Sequence, residues 1–232
     1  MRYNAAAPDA NGVSALQCTL LDYYSKISAR ISNENLENFF DTTEKAFYNK
    51  RKFEKDGNSM DAIQNIIERI SVRQYSDQEI SEEALRTILE AGMAGPSCVN
   101  ARDWSFIVVR DREILNKMAD ANGRPAEPLR TAKLGILVCG DLERAFQGAP
   151  DYWVVDGSIA AQNMILAANA LGIGSVWLGT WPQMNRVKAQ AELFGLPETQ
   201  IPHSMIAFGY PKEERTKEKL IWEENRIHYE KW

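Results

Sequence analysis

The stretch Leu171-Gly172-Ile173-Gly174-Ser175-Val176-Trp177-Leu178-Gly179 decides what kind of fold this chain can adopt. Its closely spaced glycines suggest a dinucleotide fingerprint. That fingerprint needs a strand before the glycines and a helix after them, so that the helix N-terminus can hold the pyrophosphate. Here the order is reversed. Residues 156–171 include Ile159, Ala160, Ala161, Met164, Ile165, Leu166, Ala167, Ala168, Ala170 and Leu171, a run of helical length that is apolar nearly all round. Ser175-Val176-Trp177-Leu178-Gly179 reads as a strand. The glycines therefore close a helix, and the dinucleotide reading is rejected. A helix apolar on every side predicts burial on every side, in a large core or at a subunit interface. Few places in a domain of this size suit such a helix, so the interface of a homodimer is expected.

Working outward, three further strands are predicted. Trp104-Ser105-Phe106-Ile107-Val108-Val109 has the β-branched and aromatic content of one. Residues 134–139 form a continuous apolar run of the fully buried kind, and residues 205–209 form another strand. Ser81 reads as an N-cap with Glu82 and Glu83 in the first turn of a helix. Leu85, Ile88, Leu89 and Met93 give that helix its stripe, and it is expected to end at Gly92 to Gly95. Pro96-Ser97-Cys98-Val99-Asn100 follows as a loop. The segment from Asn122 to Arg130 is short and rich in Pro and Gly, which argues against an elaborate lid.

Toward the N-terminus, Ile63, Ile66, Ile67 and Ile70 mark a helix that runs into Arg69-Ile70-Ser71-Val72-Arg73. On an extended segment, residues two apart share a face. Arg69, Ser71 and Arg73 would then set two guanidiniums around a hydroxyl, donors that match phosphate oxygens. A solvated helix end would look the same in isolation. Residues 1–59 read as a separate helical extension. Leu16, Leu20, Tyr23, Tyr24 and Ile27, then Leu36, Phe39 and Phe40, recur at helical spacing. Lys55-Asp56-Gly57-Asn58-Ser59 resembles a linker. The domain proper is expected over residues 60–232.

The 232 residues are 44% hydrophobic and 25% charged, ordinary for a globular protein. A formal net charge of −5 argues against nucleic-acid binding. Cys18, Cys98 and Cys139 are widely spaced and the histidines are His203 and His228, so no Cys/His zinc cluster is expected. The cysteine usage suggests a reducing compartment. No run approaches ~20 uninterrupted apolar residues and no signal peptide is visible. The chain is expected in the cytoplasm, away from membranes. Ser97 and Cys98 have no histidine nearby in sequence, the carboxylates show no paired-acid pattern, and no conventional acid–base site is built. A cofactor that carries the chemistry would remove the need for one.

Taken in order, these motifs resemble those of the nitroreductase family of FMN-dependent oxidoreductases, in its shorter form. Arg69-Ile70-Ser71-Val72-Arg73 is similar to the family's R-x-S-x-R/K opening. Gly95-Pro96-Ser97-Cys98-Val99-Asn100, with Trp104 beyond it, is similar to its A-P-S-x-x-N loop. The apolar helix, the 172–179 glycine stretch, Gly209-Tyr210-Pro211 and His228-Tyr229-Glu230-Lys231-Trp232 complete the match. Arg102 and Asp103 depart from a frequent Gln-Pro, and Cys98 replaces a small residue. The resemblance implies an α+β sandwich, a mixed and mainly antiparallel sheet flanked by helices, working as an intertwined homodimer with FMN at the interface. It implies Arg69, Ile70, Ser71 and Arg73 at the phosphate and ribityl chain, with Lys217 and Lys219 as a further basic pair. Pro96, Ser97, Cys98 and Asn100 would approach from the partner chain, and the backbone of Leu178 and Gly179 would lie near flavin N5 and O4. The activity implied is ping-pong transfer of hydride from NAD(P)H to nitroaromatics, quinones or similar conjugated acceptors. Other flavin chemistry on the same fold, such as dehalogenation or dehydrogenation, and a flavin-binding protein of low turnover remain open. Phe146, Tyr152, Trp153 and Trp181 are candidates to line the mouth of the site.

Overall fold

The computed structural model describes residues 61–213 and 223–232. These belong to the compact unit Met60–Trp232, one of the two into which the chain divides. The expected helices of the first sixty residues, and Lys217 and Lys219, lie outside the described residues.

Four strands form the sheet: β1 (Trp104–Val109), β2 (Leu134–Asp141), β3 (Gly174–Gly179) and β4 (Gln200–Gly209). Their order is β1-β2-β4-β3 and every ladder is antiparallel. The parallel element is a single bridge, Ser71 to Ser175, through which the 71–73 segment joins the outer edge of β3. β2 and β4 are central and covered on both faces, which is why β2 is a continuous apolar run rather than an alternating one. Its side chains still alternate between two cores. Leu137 and Cys139 face one core with Met205, Ala207 and Leu178. Ile136 and Val138 face the other with Ile206 and Phe208. The strand-period pattern thus fixes a three-layer α+β sandwich.

Helices fill both outer layers. α1 (Ala62–Glu68) begins at Asp61, whose carboxylate accepts from the N–H groups of Ile63 and Gln64. It stops where Arg69 turns extended, at ψ 128°. α2 (Glu82–Met93) begins at Ser81, whose hydroxyl accepts from Ala84 N–H at 3.1 Å, with Glu82 and Glu83 in the first turn as predicted. α3 (Arg112–Asn122), the 3-10 segment Arg124–Arg130 and α5 (Met184–Phe194) cover the first core. α2 and α4 (Tyr152–Ala170) cover the second.

One of the two expected helix limits is corrected. α2 ends at Met93, within the expected Gly92 to Gly95, and Gly92 is a packing contact: a Cβ there would sit 2.8 Å from Met164 Cγ on α4. α4 begins at Tyr152 rather than at 156, so Asp156 is a buried residue within the helix. Within one chain α4 is buried on part of its surface. Ala160, Ala161, Met164 and Ala168 are fully buried, while Tyr152 and Val155 are each 48% exposed. Among the described residues, no helix is long and apolar enough to cross a membrane.

Candidate functional site

Where α1 ends, the chain runs extended against the outer edge of β3. Val72 N–H donates to Ser175 O at 2.9 Å. Val72 and Tyr75 point into the core, and the Tyr75 hydroxyl donates to Val72 O at 2.7 Å. Burial holds this hydroxyl well above the usual tyrosine range, so it remains a neutral donor tying the segment down. Pinning Val72 inward turns Ser71 and Arg73 the other way. Ile70 packs against the core's edge, Arg69 is half-buried and Arg73 is exposed. Among the described residues Arg69 makes no ion pair, and Arg73 donates only a long contact, 3.4 Å, to Ser71 O. Two guanidiniums that meet no carboxylate among the described residues flank one hydroxyl.

The far end of β3 completes this edge. Because Ser175 turns its peptide outward to Val72, the two-residue alternation also turns Trp177 and Gly179 outward. The Leu178 N–H instead faces β4, where Leu178 is paired with Met205. Gly179 O accepts from Asn122 Nδ2 at 3.2 Å and from Arg186 Nη1 at 3.0 Å. Thr180 Oγ1 donates to Asn122 Oδ1 at 3.2 Å. This peptide is therefore fixed from two helices. A Cβ built on Gly179 would meet nothing within 4 Å. The glycine is not demanded by protein packing, and open space lies beside it. From Ser175 to Gly179 the strand rises roughly 13 Å, so a cationic cradle and an open backbone slot lie along one edge with room for a chain between them. These residues fit FMN: Arg69, Ser71 and Arg73 suit its phosphate, and the open slot at Gly179 suits a planar ring.

The loop carrying Pro96, Ser97, Cys98 and Asn100 is held elsewhere. Cys98 N–H donates to both oxygens of Asp156 on α4, at 3.1 and 2.9 Å. Ser97 Oγ accepts from Arg102 N–H at 2.9 Å, and Asn100 Oδ1 from Arg102 Nε at 3.1 Å. Pro96 is exposed. The hydrogen bonds of this loop thus run to α4 and to itself rather than to the 69–73 segment. Val99, Asn100 and Arg102 all take positive φ, at 44°, 59° and 51°, a costly conformation for non-glycine residues.

The proposed aromatic mouth is partly core. Trp153 is buried and packs across Gly140, while Phe146 and Tyr152 are 41% and 48% exposed. Trp153, Trp177 and Trp181 surround the buried His203. Edge contacts run Trp153 to Trp181 at 5.0 Å, Trp153 to His203 at 5.9 Å and Trp177 to His203 at 5.6 Å. Burial lowers the His203 pKa to about 4. Its Nε2 lies 3.0 Å from Val154 O and its Nδ1 3.0 Å from Ser204 Oγ. It is a neutral packing residue at ordinary pH. Cys139 is likewise buried, its thiol pushed up to about 12. Sequence reasoning missed Asn122, Arg186 and the role of Asp156. A lone acid inside an otherwise apolar helix was the one available signal.

With this geometry in place, comparisons with known proteins give the class. The sequence profile of the nitroreductase family matches residues 66–138 and 126–210. The chain is 44% identical over 173 residues, 75% of its own length and 88% of the relative's, to the "Putative NADH dehydrogenase/NAD(P)H nitroreductase" of Methanothermobacter thermautotrophicus. The structure of an FMN-dependent nitroreductase from Clostridium difficile matches with TM-score 0.68 and 30% identity, covering 73% of this chain and 99% of that one. That of the NADPH:FMN oxidoreductase from Vibrio harveyi complexed with NAD+ matches with TM-score 0.66 and 26% identity, covering 74% and 77%. The chain belongs to the nitroreductase family.

Proposed function

We propose that this protein passes hydride equivalents from NAD(P)H to nitroaromatics, quinones or similar conjugated acceptors in a ping-pong sequence. It is an FMN-dependent NAD(P)H oxidoreductase of the nitroreductase type. Bound FMN supplies the two-electron chemistry at N5, and the protein supplies position and electrostatics. Arg69, Ser71 and Arg73, with Ile70 beside them, hold the phosphate and ribityl chain. The outward N–H of Gly179 donates toward the ring, its peptide held by Asn122 and Arg186. Leu178 packs beneath it. Lys217 and Lys219 add positive charge at the phosphate.

Pro96, Ser97, Cys98 and Asn100 reach the flavin of a partner subunit in a homodimer. The exposed apolar face of α4 and the exposed Ile63, Ile66 and Ile67 of α1 support that assembly. The observation that carries the reading is the single edge of β3, with two arginines that pair with no carboxylate among the described residues at one end and an open glycine slot at the other.

The test is the visible spectrum of the purified protein, oxygen-free, before and after NADH or NADPH. Flavin bands that bleach and return on adding a nitroaromatic or quinone are expected, and the faster donor names the nicotinamide. Bands that persist with both donors would point to a flavin-binding protein of low turnover. A colourless protein that cannot be loaded with FMN would overturn the reading.

A further inference from the structure

Asp103 stands where the family pattern has a frequent proline, and it is 1% exposed. Neither of its carboxyl oxygens meets an N–H or O–H donor among the described residues. Within hydrogen-bonding reach lies the carboxyl of Asp156, itself 1% exposed. Two buried carboxyls can bond to each other only when one of them carries a proton. Two bare charges at that separation, out of water, would repel strongly.

The surroundings deepen the need for that proton. Asp141 at the end of β2 adds a third negative charge near Asp103 and donates its backbone N–H to Asp103 O at 2.8 Å. The nearby cations are engaged elsewhere: Arg102 donates to Asn100 Oδ1, and Arg144 to Ala101 O. Burial first, and then repulsion from Asp156, pushes the Asp103 carboxyl up to about 6. Asp156 already accepts Cys98 N–H on both oxygens, whereas neither oxygen of Asp103 accepts from an N–H among the described residues. The proton therefore belongs on Asp103, which donates to Asp156.

Asp156 is the link between α4 and the loop carrying three non-glycine residues at positive φ. Such a loop persists only when its surroundings over-determine it. We propose that Asp103 and Asp156 are positioning residues: a carboxyl pair sharing one proton that clamps the Cys98 N–H and so fixes the Pro96–Asn100 loop for flavin contact. Losing the proton sets two anions against each other beneath the loop and loosens it. The clamp itself is independent of flavin. Its effect on FMN affinity rests on the functional reading above.

The sequence offers a clean test, because Cys18, Cys98 and Cys139 are its cysteines. Full-length protein labelled with [15N]cysteine and [13Cγ]aspartate is titrated from pH 5 to 8, with Cys98→Ser assigning the Cys98 amide. The Cys98 amide and one aspartate carboxyl are expected to titrate together, with a midpoint well above the ordinary carboxylate range. In Asp103→Asn a carboxamide keeps a donor on Asp156 at every pH, so both titrations should vanish while the amide holds its low-pH position. FMN affinity, read by flavin fluorescence on the same samples, should fall with rising pH by up to about tenfold per unit above the midpoint. It should be flat in Asp103→Asn.

A Cys98 amide that does not move in the wild type would overturn the clamp, whatever the variant does. A moving amide with pH-independent FMN affinity would overturn the positioning role and leave the flavin reading intact. Absence of FMN binding at every pH would instead sink the flavin reading, with the titration alone deciding the clamp.

Discussion

The two halves of the candidate site are held by different physics. The β3 edge is a product of the core: Val72 and Tyr75 are buried, the ladder to β4 continues beneath, and Gly179 O is gripped by Asn122 and Arg186. The Pro96–Asn100 loop is strained and largely exposed, and it reaches the body of the protein through the Asp156 carboxylate. The first should be as robust as the fold, since removing it means dismantling packed strands. The second should answer to local conditions such as pH. A site assembled this way has a fixed frame and an adjustable flap.

The largest expected effect tests the frame's charge. Replacing both Arg69 and Arg73 with alanine removes two charge-assisted contacts worth about 1.5–3 kcal/mol each. FMN affinity should drop roughly 10²–10⁴-fold with the melting temperature nearly unchanged, measured by fluorescence titration and thermal denaturation. An unaltered affinity would return these side chains to solvent.

Next in size, Gly174→Ala tests the frame's geometry. The added methyl would lie 2.7–2.9 Å from Val72 and push the 71–73 segment off β3. Urea denaturation should show about 1–3 kcal/mol lost, typical of overpacking, with FMN affinity falling in parallel.

The third prediction sets two buried groups in opposition. His203, with its pKa lowered to about 4, binds its proton more weakly folded than unfolded, so stability rises as pH goes from about 4 to 6.5. Asp103, raised to about 6, binds its proton more tightly folded, so its contribution is present at low pH and is lost as pH rises from 3.8 to about 6. The two slopes largely cancel in the wild type. Asp103→Asn should leave a steeper rise in stability over pH 4 to 6.5, seen in urea midpoints at a series of pH values.

The smallest effect belongs to the flap. Val99→Gly relieves a β-branched residue at φ 44° whose side chain is 70% exposed. Positive φ costs roughly 1–2 kcal/mol, partly offset by the greater unfolded-state freedom of glycine. A net gain below about 1 kcal/mol is expected by the same denaturation assay. A clear loss would mean that the loop is not strained.

The frame was more legible in the sequence than the flap. β1 was read at its observed limits and the run 134–139 as a buried strand, because central strands announce themselves by unbroken apolar character. β4 was read only from Met205, since Gln200, Pro202 and His203 do not look like a core strand. The structure accommodates Pro202 where the register shifts between Val138 and Cys139. α3 and α5 were not singled out. In α5 only Val187 and Gln190 are buried, too few to write a stripe. The alternation of Arg69, Ser71 and Arg73 was visible because adjacent residues carry it. The partnership of Cys98 with Asp156 spans 58 positions and leaves no local periodicity.

The indoles around His203 have a further consequence, an optical one. Trp177 is half-open to solvent and adjoins the Leu178–Gly179 backbone, while Trp153 and Trp181 sit in edge contact behind it. A yellow chromophore settling beside Gly179 would fall within energy-transfer range of all three. The protein carries its own donor array, and ultraviolet-excited emission reports the occupancy of that edge without a label.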